Sequence, residues 1–224
     1  MKKALSVLAV ASLAAVVCVP FAACGENADN FKSQEVDKET FAAAFSKQNF
    51  KNVLFEGTLV TEAGEGDEYG KSTAKVKFVI DGSKEYMTAT TKYEGAAATS
   101  MGKTKVTLEA YYSAGETQSE TTVYYKDEAG AWQTTTANMS YGFSMYQPSE
   151  ILSDYLFEAD EYETFVFDAE KKGYYYEEDG ESVLIKFKDG KLYSLKTVEK
   201  PGRGATLETS YVFTYGGQSL KFPL

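Results

Sequence analysis

The chain has 224 residues, a formal net charge of −10 and no histidine. The missing imidazole excludes Ser-His-Asp and Cys-His nucleophile systems and histidine-ligated zinc, and the acidic balance argues against nucleic acid as a partner. Apolar residues at 43 % and charged ones at 25 % are the proportions of a folded chain, and 14 % aromatic content with four prolines favours sheet over helix.

The N-terminal stretch opens with Lys2 and Lys3. An apolar run from Ala4 to Ala23 follows, broken by Ser6 and Ser12. By length alone it reaches the ~20 residues of a transmembrane helix. Its end, Phe21-Ala22-Ala23-Cys24-Gly25, favours an export signal instead, because small residues precede a cysteine where a peptidase needs a narrow extended substrate. This stretch resembles a bacterial lipoprotein precursor, in which an aliphatic residue and two small ones precede the cysteine that receives a diacylglyceryl group. Phe21 stands where that family usually has leucine; Ala22, Ala23, Cys24 and Gly25 match. Val16-Val17 makes Cys18 a poor alternative. The resemblance implies a signal peptide over 1–23, a lipidated Cys24 with a polar tether over 24–36, and one β-rich domain over 37–224. It also implies an extracytoplasmic address, lipid-anchored on the cell membrane, or on the outer membrane of a Gram-negative cell. Acyl chains on Cys24 would give stable anchoring at about 0.8 kcal/mol per buried methylene. No thiol would remain for catalysis, and no cofactor is expected.

Asp37 is placed to cap a helix running to about Lys51, with Phe41, Ala44 and Phe45 on one face. From Val53 the period changes to two. Val53, Phe55, Gly57 and Leu59 alternate with polar or outward residues, as do Ala74, Val76, Phe78 and Ile80. Asp81-Gly82 turns the chain into Tyr86–Thr90; Val106, Leu108 and Ala110 continue the alternation, and strands at Val123–Tyr125 and Trp132–Thr136 flank the turn at 127–130. Gly95 to Gly102 looks like the most flexible loop. Pro148-Ser149-Glu150 starts a second helix with Ile151, Leu152, Tyr155 and Leu156 on its apolar face. Strands are then expected at 162–168, 173–178, 182–188, 192–198 and 206–215, divided by Lys172-Gly173, Asp179-Gly180, Asp189-Gly190 and Pro201–Gly204. The fold class is mainly β (α+β), with about 11 antiparallel strands and two main helices.

Helix, strands, helix and strands behind a lipobox resemble the LolA/LolB-like lipoproteins, including the LppX and LprG type. Lys186–Leu192 looks like that family's late hairpin, and Tyr211–Gly216 with Leu220–Pro223 like its last strand pair. The resemblance implies a strongly curved antiparallel sheet, an open half-barrel, with helices covering its concave face. It carries over no ligand residue.

Other motifs have plain structural readings. Adjacent strand residues point to opposite faces, so Tyr174-Tyr175-Tyr176, Tyr111-Tyr112 and Tyr124-Tyr125 read as alternating core and surface rings. Glu62, Glu65, Asp67 and Glu68 lack calcium-loop spacing, and Glu158, Asp160, Glu161 and Glu163 are no better, so both groups read as solvated turns. Gly202 and Gly204 join two strands and make no phosphate loop. Asn138-Met139-Ser140 is a glycosylation sequon by pattern only.

The expected function is non-enzymatic: binding or carrying an apolar ligand, a lipid or acyl chain, shielded by Phe41, Phe45, Ile151, Leu152 and Leu156. The alternative is an envelope scaffold module with a solid core that binds a protein or glycan. The anchor has a direct test. The wild-type chain should partition into detergent with an intact mass carrying a diacylglyceryl group, and Cys24→Ser should stay aqueous and unmodified. An unmodified, membrane-retained wild-type chain would instead identify an uncleaved apolar helix.

Overall fold

The computed structural model describes residues 28, 30–113, 115, 117, 120–127, 129–136, 147–202 and 204–223. Cys24 with its neighbours, Cys18 and the Asn138 sequon lie outside the described residues. Eleven strands form one antiparallel sheet: β1 Asn52–Ala63, β2 Gly70–Asp81, β3 Lys84–Gly95, β4 Lys105–Ser113, β5 Thr122–Lys126, β6 Trp132–Thr136, β7 Val166–Asp168, β8 Gly173–Glu178, β9 Glu181–Lys188, β10 Lys191–Gly202 and β11 Ala205–Tyr215. Their spatial order is β6-β5-β4-β3-β2-β1-β11-β10-β9-β8-β7. Two meanders are therefore fused through the β1–β11 pair. The edge strands β6 and β7 do not pair with each other, so the sheet is not closed into a barrel.

The hairpins follow from their turn residues. Asp179 and Gly180 have φ of 52° and 86°, and Asp189 and Gly190 have 52° and 69°, the paired positive values of a tight turn matched to strand twist.

Among the described residues three short helices and three 3-10 turns accompany the sheet. Helix α1 spans Lys38–Ala44, and Asp37 accepts the Thr40 N–H at 2.8 Å as its cap. It stops well before Lys51; a separate 3-10 turn at Lys47–Phe50 restarts from Ser46. Helix α2, Ala96–Met101, occupies the stretch expected to be the most flexible, between Gly95 and a left-handed Gly102 at φ 62°. Helix α3, Pro148–Ser153, begins on its proline and ends before Tyr155 and Leu156, so its expected apolar face is only half helical. The strand expected over 162–168 is mostly a 3-10 turn, Ala159–Thr164, whose start is fixed by reciprocal Glu158 and Glu161 hydrogen bonds; only Val166–Asp168 is strand.

The register assigns the two faces. On the inner face Phe213, Phe55, Phe78, Met87 and Ala110 run across β11, β1, β2, β3 and β4 as direct neighbours. All five are buried. Phe55 stacks on Phe213 at 5.6 Å, with Tyr211 edge-on at 5.5 Å. Gly57 makes room for that ring: a Cβ there would lie 1.8 Å from the Ser210 carbonyl oxygen and 2.8 Å from Tyr211 Cδ1. Helix α1 delivers Phe41, fully buried, with ring centroids of Phe45, Tyr162, Phe165, Phe187 and Tyr174 at 5.0, 5.4, 5.6, 5.7 and 6.4 Å.

The segments at both ends of the described chain are tied to the sheet. Gln34 N–H donates to the Phe187 carbonyl, Ser33 N–H to that of Lys172, and the Tyr174 hydroxyl donates to Val36 at 2.6 Å. The C-terminal segment crosses the other arm. Leu220 N–H donates to Asp81, and Phe222 stacks on Tyr124 at 5.0 Å, beside Tyr111. Truncating Phe41 to alanine should lower unfolding free energy by roughly 3–5 kcal/mol, read as a reduced urea midpoint, because five rings lose their common neighbour.

Candidate functional site

The inner face is not covered evenly. Phe41, Phe45 and Leu152, expected to shield a ligand, are instead buried members of the continuous core. The space beneath α1 is occupied by the rings around Phe41. Ile151 and Leu156, by contrast, stay half-buried, as do Leu59, Ala74, Leu108, Tyr125 and Tyr176 on the sheet, all packed against the edge of the core. Helix α3 lies against β2 and β3. An apolar margin thus runs along the inner face where the core meets solvent. A separate open depression of about 610 Å³ lies outside it, against α2, between Tyr69, Gly95, Ala96 and Thr99.

Beyond the margin the same face turns polar. Tyr176, Val183, Thr197, Thr209, Leu59 and Ala74 are successive cross-strand neighbours. One step further out, Glu178, Glu181, Glu199 and Leu207 are neighbours on β8, β9, β10 and β11. Tyr155, after α3, sets its ring edge-on against Tyr211 at 5.7 Å. Burial pushes the Tyr155 hydroxyl up to about 12, with the Thr209 hydroxyl in hydrogen-bond contact and Glu199 nearby. Burial and then the neighbouring Glu181 charge raise the Glu199 carboxyl.

A second buried carboxylate marks the start of α3. Glu85 is 2 % exposed on the inner face of β3, accepting the Ser149 N–H at 3.0 Å and the Gln147 side-chain amide at 3.4 Å. Burial raises its pKa, opposed by those hydrogen bonds. The Gln147 Oε1 is buried without a partner.

The acidic turns have local work. Glu62 pairs with Lys71 at 2.6 Å and Glu163 with Lys38 at 2.8 Å, and Glu158 and Glu161 close a cap. Asp67 and Glu68 sit in an exposed 3-10 turn. Among the described residues no three acidic or thiol groups converge to hold a metal, and no helix is long and apolar enough to cross a membrane. Tyr174 is buried, while Tyr175 faces outward with Lys171 Nζ 3.8 Å from its ring centre.

Glu85 and the Glu178–Glu181–Glu199 row were missed in the sequence. The available signal was phase: Glu85 is in step with Met87 and Ala89, and Glu199 with Leu195 and Thr197, putting charge where the pattern calls for core.

No family model and no curated protein matches the chain. Among solved structures, a DUF1329 family protein from Desulfovibrio piger is similar, with 11 % identity over 81 % of this chain and 93 % of that one, at a TM-score of 0.36. A likeness of that size leaves the reading to the chain's own residues.

The buried Glu85 predicts a pH signature. Its folded-state pKa is raised, so the folded protein holds the proton longer than the unfolded chain, and this site loses stability as pH rises from the usual glutamate range. Glu85→Gln should therefore melt higher than wild type at pH 7, with the gap closing as the pH falls to the usual glutamate range. A gap independent of pH in parallel melts would contradict this.

Proposed function

We propose that this chain is a non-enzymatic lipoprotein, anchored through acyl chains on Cys24 to the outer side of a cell membrane, that binds an apolar ligand such as an acyl chain. The observation carrying the reading is the half-buried margin of Leu59, Ala74, Leu108, Ile151 and Leu156 beside a fully packed core. An acyl chain laid on that margin would remove apolar surface from water at about 25 cal/mol per Å². In this reading the sheet is a strongly curved open half-barrel, as the LolA-like resemblance implies, with α1 and α3 on its concave face. The glycine at the centre of β1 suits a bend there, since Tyr211 folds over it. The ligand lies beside α3 rather than under α1, whose space is filled by rings.

That same filling favours a second reading, a solid-core envelope module that binds a protein or glycan. Membranes carrying the full chain, irradiated with a diazirine-bearing fatty acid and digested, separate the two. The ligand-binding reading expects label on peptides containing Leu59, Leu108 or Ile151, reduced several-fold in Leu108→Asp. Label confined to the tether around Cys24 would leave the solid-core module.

A further inference from the structure

The N-terminal segment meets the sheet on its outer face. Lys186, outward on β9 and buried, donates to the Ala28 carbonyl at 2.8 Å. Phe31 then lies against Tyr193 of β10 at 4.4 Å, with Lys188 Nζ 5.5 and 5.6 Å from the two ring centres. The same face carries Val166, Tyr175 and Leu184, successive neighbours on β7, β8 and β9. Val166 is 69 % exposed, more than any other large apolar side chain among the described residues. Lys171 Nζ sits 3.8 Å from the Tyr175 ring centre. This arm thus turns two lysine–aromatic groups and an uncovered valine outward. Asp168 and Glu177 share the face, and both are engaged: Asp168 with Lys171 at 3.4 Å, and Glu177 with the Tyr175 hydroxyl at 2.5 Å. The Asp168–Lys171 pair is open to water, so it restrains Lys171 weakly.

We propose that the outer face of β7–β10 lies against the phospholipid bilayer; this rests on the acyl anchor at Cys24 proposed above. Val166 enters the apolar boundary, Tyr175, Phe31 and Tyr193 lie at headgroup level, and Lys171 and Lys188 reach lipid phosphates. The covalent chain carries the argument. Cys24 is four residues from Ala28, at most about 14 Å along a fully extended backbone. Lys186 fixes Ala28, so the outer face of β9 is the part of the sheet held nearest the anchor. The side chains found there suit that depth. Tyrosine and lysine combine an apolar body with a polar tip, and such residues collect where acyl chains give way to headgroups. An exposed valine beside them loses its contact with water at that boundary.

The experiment places the chain, purified with its anchor, in phosphatidylcholine–phosphatidylglycerol vesicles that carry a nitroxide just below the lipid headgroup. With the signal peptide removed and Cys24 acylated, a substituted cysteine is the one reactive thiol. A fluorescent dye on Val166→Cys should be quenched several-fold more than the same dye at two exposed control positions. Thr134→Cys lies on the same face at the β6 edge, and Asp160→Cys lies in the 3-10 turn that packs against α1. Reversing Lys171 and Lys188 together to glutamate should cut the quenching at Val166→Cys several-fold while the chain still floats with the vesicles. Quenching at Val166→Cys no greater than at the controls, or unchanged by the double reversal, in an acylated and vesicle-bound chain overturns the membrane face while the anchor stands. A chain that carries no diacylglyceryl mass and does not float with vesicles overturns the anchor, and the membrane face with it.

Discussion

The structure depends on one long-range pairing, that of its first and last strands. Val53–Glu62 runs antiparallel to Thr206–Tyr215 without a break in register, and every other strand joins the sheet through a sequential neighbour. Removing that ladder would leave two meanders, each with an unpaired central edge. The pair also brings buried rings together, because the register places Phe55 opposite Phe213 and Gly57 opposite Tyr211. A one-residue slip would turn these rings outward and bring Glu56 and Glu208 inward. Burial on one face therefore fixes the register of the whole sheet.

With the register fixed, the inner face grades from rings to carboxylates along the strands. The layer of Phe213, Phe55 and Phe78 is closed. The next outward layers run through Leu195 and Tyr211, then Thr197 and Thr209, then Glu199. The ring layer excludes water, whereas the outermost layer ends at Glu178 and Glu181, which solvent reaches. On the outer face glutamates lie beside lysines, Glu56 with Lys77 and Glu208 with Lys196, in pairs that stay in contact with water.

Much of the fold was legible because it rests on local rules. Alternation at Val53–Leu59 and Ala74–Ile80 marked strands, Asp179-Gly180 and Asp189-Gly190 marked hairpins, and Asp37 and Pro148 marked helix starts. Helix α2 was hidden because Gly95 and Gly102 cap it through backbone conformations that also suit a loose loop. The 3-10 turn at Ala159–Thr164 was hidden by a false alternation of Tyr162, Thr164 and Val166, although the Glu158–Glu161 cap was visible in the spacing. The packing beneath α1 depends on contacts between segments far apart in sequence, which no local pattern encodes.

The segments at both ends of the described chain lock onto the sheet. Residues 33–36 bond the ends of β8 and β9, the strands that carry Glu178 and Glu181. Lys186, 2 % exposed, donates to the Ala28 carbonyl. The C-terminal segment secures the opposite arm through Asp81 and Tyr124. Each meander is thus fastened by a segment distant in sequence, one by residues 33–36 and the other by Leu220 and Phe222.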